Sequence, residues 1–317
     1  AGATQDECIR RTAPGVRWAA VGDRTRLALW LSYAAISVIW GSTYLAIKVG
    51  LGSFDPFFYA GIRYTIAAGL LYGIARWRGV RFAGPLARWL PAVGIGVLFI
   101  AVSNGLVFWG ETRLDSGFTA LLLTSSPLWT EALTPLLPGE RRLGGLGWAG
   151  IALGLVGTVV LLEPWRATRV ELVASLAIEV SVLAWVVGAL WVRKIRRDFD
   201  PLALTVAHMV GGAPFLLALA ALRGRALVGP VTLPALASLA FLIVFGSCVA
   251  FSAYFFLLRH WEASRVATST YINPVVAVAL GAAVLGEEVT GPMVAGAAVV
   301  MAGVALVLRG LRAGAGA

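Results

Sequence analysis

Charge is scarce in this chain. Of 317 residues, 13% are Asp, Glu, Lys or Arg and 59% are hydrophobic, against roughly 25% charged in an ordinary soluble domain. So little polar surface excludes a water-soluble globular protein. Cysteine and histidine are scarcer still, at two each. Cys8 lies in a polar amino-terminal stretch and Cys248 inside an apolar run, so neither count nor spacing describes a disulfide framework or a metal site. His208 and His260 are the whole imidazole supply, and there is no His-Glu-x-x-His, Walker loop or Gly-x-Ser-x-Gly. The reading is therefore against an enzyme, with no metal or cofactor expected. The net charge of +10 would suggest nucleic acid only if the basic residues formed a patch on a soluble domain, and no such domain exists.

Long apolar runs, by contrast, fill the chain. A hydrocarbon core of about 30 Å takes about 20 helical residues to cross. Ten such runs lie near 27–49, 56–77, 88–110, 116–137, 145–162, 170–192, 202–222, 235–258, 264–285 and 291–308. A membrane β-barrel would instead show ten-residue alternating segments. The expectation is an all-α integral membrane protein with ten transmembrane helices. Residues 1–26 are polar and basic and read as a cytoplasmic tail or a cloning remnant, and 310–317 as a second cytoplasmic tail. The apolar stretch that follows residue 26 is too long for the core of a cleaved signal peptide and stays in the membrane.

Basic residues collect on one side. Five Arg precede the first span; then come Arg76, Arg78, Arg81 and Arg88, Arg141 and Arg142, Arg193, Lys194, Arg196 and Arg197, Arg259 and Arg265, and Arg309 and Arg312. The other side holds Arg113, Arg166, Arg169, Arg223 and Arg225. Because Lys and Arg accumulate in cytoplasmic loops, both termini are expected to be cytoplasmic.

The chain also echoes itself. Asp55-Pro56 recurs as Asp200-Pro201, Leu90-Pro91 as Leu233-Pro234, Pro127 as Pro274, Gly139-Glu140 as Gly286-Glu287, and Gly150 and Gly157 as Gly296 and Gly303. An Asp that caps the next helix and a Pro at its first position suit both Asp-Pro sites. Units of five spans, 27–163 and 164–309, must enter the membrane in opposite directions because five is odd. Two inverted five-helix repeats are the architecture of alternating access, with substrate held near the midplane.

Three stretches carry a family resemblance: WGSTYLAIKVGLGSFDPFFYAGIRY from residue 40, SNGLVFWGETRLDSGFTALLLTSSPLW from 103, and ATSTYINPVVAVALGAAVLGEE from 267. Together they resemble EamA-type permeases of the drug/metabolite transporter superfamily. The resemblance implies a 5 + 5 helix fold in a bacterial inner membrane and export of amino acids, related metabolites or toxic small molecules without ATP. The alternatives are efflux of drugs or cationic compounds, and passive, channel-like permeation.

Candidate site residues follow from the cost of polar groups in hydrocarbon, about 2.5–3.5 kcal/mol for a charge. Arg63 and its repeat mate His208 are candidates to hold a substrate carboxylate or a gate ion pair. Glu131 and Glu179 are the candidates for proton coupling. Trp40 and Tyr44 share a helix face, beside Ser42, and with Trp185, Tyr254 and Tyr271 they could cage an apolar or cationic cargo. Asn104 and Asn273 suit cargo recognition or interhelical hydrogen bonds. Pro127 and Pro274 kink their helices, with Ser125, Ser126 or Asn273 available to satisfy freed carbonyls, and are the expected gates. Gly150-xxx-Gly154 and Gly69-xxx-Gly73 predict close helix packing. The expected partners are a small-molecule substrate, the lipid bilayer and protons.

Overall fold

A computed structural model describes residues 23–134, 144–195, 199–261, 266 and 268–313. These residues form ten helical segments: α1 (Asp23–Gly50), α2 (Pro56–Trp77), α3 (Leu86–Gly110), α4 (116–133), α5 (Gly145–Leu162), α6 (Arg169–Ile195), α7 (Pro201–Leu222), α8 (233–260), α9 (268–285) and α10 (Gly291–Ala313). Seven of them, α1, α2, α3, α5, α6, α7 and α8, contain stretches long and apolar enough to cross a membrane, and α9 and α10 hold shorter apolar stretches. Large apolar side chains are exposed around the bundle, among them Leu31, Leu70, Val156, Val173, Phe215 and Val275, a surface that lipid covers and water would not. The protein is an all-α, multi-pass membrane protein. α1 begins inside the stretch read as a tail, and α10 runs on to Ala313.

The echo in the sequence is repeated in the backbone. Asp55 accepts hydrogen bonds from Phe57 N (3.0 Å) and Phe58 N (3.3 Å), and Asp200 accepts one from Leu202 N (2.9 Å). Both therefore cap the helix that follows, as the Asp-Pro spacing predicts. The π-helical turns give no sequence signal. α3 widens into π-helix over Val97–Asn104 and α8 over Leu242–Val249, eight residues each, starting at 97 and at 242. α4 and α9 tighten to 3₁₀ turns over Leu123–Ser125 and Thr268–Tyr271, just ahead of Pro127 and Pro274. Gly139, Glu140, Arg141, Arg142 and Arg265 lie outside the described residues.

Glycine decides how closely α5 and α10 pack. α5 and α10 run against each other through the glycines that the repeat pairs: a Cβ at Gly303 would stand 2.5 Å from Gly154 N and 2.7 Å from Gly150 O, and one at Gly157 would stand 2.5 Å from Val300 N. The expectation for Gly69 and Gly73 is corrected, because nothing lies within 4 Å of a Cβ at either and both are exposed on α2. Glycine spacing permits close approach, and the neighbouring helix has to be there to use it.

One end of the bundle is closed by backbone. The α1–α2 connection zips onto the α7–α8 connection through Asp55 N to Ala226 O (3.0 Å), Val228 N to Ser53 O (3.0 Å) and Ser53 Oγ to Pro230 O (2.7 Å). Arg223 Nε donates to Asp55 Oδ2 at 3.3 Å. Lys48 Nζ reaches the α3–α4 connection, donating to Glu111 O (3.0 Å) and Leu114 O (2.6 Å). The Glu287 carboxylate, after α9, caps α4 by accepting from Ser116 N, Ser116 Oγ and Gly117 N at 2.8–2.9 Å. Asp55→Ala removes a buried cap and an ion pair together, so it should lower stability by about 1–3 kcal/mol. Asp55→Asn, which keeps an accepting oxygen at the cap, should recover most of that, both read as melting temperature in detergent.

Candidate functional site

Two groups of side chains meet at the π-helical turn of α8. The first is aromatic. Trp40 on α1 stands edge-on to Trp185 on α6 (ring centroids 6.2 Å apart) and to Phe251 on α8 (5.7 Å), and lies 5.3 Å from Tyr254. Phe99 on α3 stacks on Trp185 at 4.4 Å. Trp40, Trp185 and Tyr254 are brought together as the sequence predicts, and Phe99 and Phe251 complete the wall. Tyr271 packs against the same core without a ring contact to this wall among the described residues. The second group surrounds Arg63. Its guanidinium is 3% exposed, donates from Nε to Ser247 Oγ (2.9 Å), and lies over the rings of Tyr64 (4.6 Å) and Phe108 (5.8 Å). Trp40 Nε1 donates to Gly246 O at 3.4 Å. Cation and aromatic wall thus adjoin through consecutive residues, Gly246 and Ser247.

This arrangement has a local cause. A π-helical stretch carries an extra residue, which shifts the side chains that follow around the axis. Trp40 donates to a carbonyl of that stretch in α8, and Asn104 Nδ2 to one in α3, Phe99 O at 2.8 Å. Asn104 Oδ1 also accepts from Tyr64 OH at 2.6 Å. Asn273, with its amide nitrogen as donor, reaches Ser269 O (3.0 Å) and Ser37 O (2.9 Å), tying α9 to α1. Both amides are engaged by protein in this conformation. So is Ser42, which bonds back to Val38 O and Ile39 O of its own helix. Tyr44 faces Tyr64 and Glu111.

Arg63 and His208 are each the eighth residue of their helix, α2 and α7, but in unlike surroundings. Among the described residues no carboxylate comes within ion-pair distance of Arg63, and the acid that feels its charge is Glu111. His208 is 1% exposed, between Phe99 (5.5 Å) and Phe255 (6.1 Å), with no hydrogen-bond partner on either ring nitrogen. Glu179 on α6 meets the broken part of α4: its Oε2 accepts from Ser125 Oγ (3.0 Å) and Trp129 Nε1 (3.1 Å). Ser125 therefore serves Glu179, whereas Asn273 does take a carbonyl near Pro274. Glu131 is half-buried on α4 near Tyr271, and Arg141 and Arg142, its expected partners, lie outside the described residues.

Sequence reasoning overlooked Phe99, Phe251, Ser247 and, at the closed end, Glu111. Glu111 had a signal: an acidic residue at the very end of an apolar run, within the SNGLVFWGETRLDSG stretch. Its side chain is 0% exposed and neither carboxylate oxygen has a hydrogen-bond partner among the described residues.

Comparison with known proteins agrees with this architecture. Residues 28–163 and 172–309 each match the EamA-like transporter family. The inner membrane transporter YedA of Escherichia coli K12 is 31% identical over 275 residues, which span 84% of this chain and 86% of that protein. A "Probable amino-acid metabolite efflux pump" of Salmonella typhimurium is 27% identical over 298 residues, 87% of this chain and 93% of that one. A solved crystal structure superposes with a TM-score of 0.63 at 21% identity, covering 89% of this chain and 97% of that chain, which supports the fold.

Proposed function

Because the chain belongs to the EamA-like transporter family, whose members are transporters and not enzymes, we propose that it is a secondary exporter of amino acids or related small metabolites, working by alternating access in a bacterial inner membrane. In this reading residues 27–163 and 164–309 are two five-helix repeats inserted in opposite directions, with both termini cytoplasmic and the Asp55 end outside. The paired family matches, the matched Asp caps and the matched π-helical turns support the repeats. The basic residues gathered on the opposite side support the orientation.

The observation that carries the cargo assignment is the buried Arg63 guanidinium beside the aromatic wall. A cation without a carboxylate partner favours a cargo that brings one, and the wall favours a partly apolar side chain. The printed description of the Salmonella relative points the same way. The wall alone would also suit an organic cation, so efflux of cationic compounds is the second reading. Pro127 and Pro274, each preceded by a 3₁₀ turn, are the proposed gate hinges, and Glu179 and Glu131 are proposed coupling carboxylates.

A growth panel tests the cargo. Expressing cells should tolerate toxic amino acid analogues and gain nothing against cationic biocides, and the tolerated compound should leave loaded cells faster than from cells lacking the protein. Tolerance confined to the biocides would overturn the amino acid assignment. Acceleration of uptake by cargo on the far side identifies a carrier, and its absence a pore.

A further inference from the structure

Glu111 is the most isolated acid among the described residues. It follows the last residue of α3, at the closed end of the bundle, and is 0% exposed. Lys48 stands next to it yet spends its ammonium on the carbonyls of Glu111 and Leu114 and on Asp115, 3.9 Å away, leaving both Glu111 carboxylate oxygens unpartnered. An ionised carboxylate in that position would have given up its hydration without gaining a hydrogen bond, at a cost of several kcal/mol. The neutral acid does not bear that cost. Burial accordingly pushes the Glu111 carboxyl well above the usual carboxylate range, Lys48 and Arg63 opposing the shift and Glu287 adding to it.

The groups facing it come from every element around this end. α1 supplies Lys48 and Tyr44, α2 supplies Arg63 and Tyr59, the segment after α9 supplies Glu287, and the α3–α4 connection supplies Asp115. On α6 this end carries Arg169 and Glu171, both exposed, with Glu171 bonded to Thr168. Glu179, in contrast, already holds two donors.

Opening this end requires the α1–α2 and α7–α8 connections to part and the α3–α4 connection to loosen from Lys48. Water then reaches Glu111, and its carboxylate can be hydrated and paired with the ammonium beside it. We propose that Glu111 is a proton-binding site that works the outer gate: closing this end takes up one proton from solution onto the carboxylate, and opening returns it. The proposal rests on the alternating-access reading. The sign follows from linkage. The closed state holds the proton more tightly, so its advantage is complete below the ordinary carboxylate range and is lost as pH rises through the elevated value.

The test needs no cargo. In a protein carrying Cys8→Ser and Cys248→Ala, Ser53→Cys places a reporter thiol that is 1% exposed behind the zipped connections, to be labelled in proteoliposomes by a membrane-impermeant maleimide. Rates are divided by those of Arg225→Cys, an exposed position on the same end, which removes the thiol's own titration. Relative labelling should rise with pH, by up to about tenfold per unit for a single proton. Glu111→Gln, uncharged at every pH, should label slowly and without slope, and Glu111→Asp should keep a slope. Leu114→Cys, buried on the α3–α4 connection, is the second reporter should Ser53→Cys not fold. An equal slope in Glu111→Gln and its parent, or no slope in the parent, overturns the proposal. A slope in a protein that confers no tolerance in the growth panel would leave Glu111 standing and remove the cargo assignment, and the reverse pair of results would do the opposite.

Discussion

Arg63→Met should leave the protein folded and reduce export of a carboxylate-bearing cargo by about 10- to 150-fold, the equivalent of one hydrogen bond to a charged group at about 1.5–3 kcal/mol. Folding should survive because exchanging a buried charge for an apolar side chain of similar length is often neutral or stabilising. The bond to Ser247 and the stacking over Tyr64 and Phe108 are lost, but no carboxylate among the described residues is left unpaired by the change. Arg63→Lys should fall between the two. It keeps the charge but presents a point donor where the guanidinium offers a planar fork held by Ser247. Initial efflux rates from proteoliposomes loaded with the tolerated analogue measure the effect. A cationic cargo would behave oppositely, moving at least as fast through Arg63→Met, because the substitution removes a like charge from its path. Full export of the analogue by Arg63→Met would remove Arg63 from the site.

Gly303→Leu should lower stability by at least about 3 kcal/mol, the upper range for overpacking. The atoms that its Cβ meets are Gly154 N and Gly150 O. These belong to the backbone of α5 and cannot rotate aside as a side chain would. The helices would have to separate along a contact whose stability comes from close van der Waals approach, since hydrocarbon offers no hydrophobic drive to hold two helices together. Gly69→Leu, in a Gly-xxx-Gly spacing like that of Gly150 and Gly154 but facing open space on α2, should stay within about 0.5 kcal/mol. Melting in detergent and the yield of monodisperse protein report both. Equal tolerance of the two substitutions would mean that α5 and α10 do not pack as described.

That pair of glycine motifs illustrates how far a linear reading reaches. Gly69-xxx-Gly73 and Gly150-xxx-Gly154 look alike in sequence, because spacing specifies only that a smooth face exists. What faces it depends on a helix more than a hundred residues away. Trp40 and Trp185 were legible as aromatic candidates because both lie well inside an apolar run where a headgroup belt cannot account for them. Phe99 and Phe251 were not, since a Phe in an apolar run carries no mark that distinguishes a wall of the site from lipid-facing bulk. Ser247 was equally silent. It holds Arg63 because α8 widens by one residue per turn at that point, and the eight residues that do so, LIVFGSCV, contain no Pro to announce it.

Glu111 marks the same boundary from the other side. Its composition context gave reason to notice it, but an acid at the end of a span reads as solvated until the chain is folded. Only then do the connections close over it and Lys48 turn to the backbone.

The amino acids in order were enough for the class of molecule: runs of apolar residues leave a helix in lipid as the one structure that satisfies every backbone hydrogen bond, and recurring Asp-Pro, Pro and Gly positions mark a duplicated unit. These are local or periodic properties, and periodicity survives in one dimension. The partner of Arg63, the neighbour of each glycine and the burial of Glu111 are relations between distant segments, set by which helices come to lie side by side, and the folded bundle alone decides them.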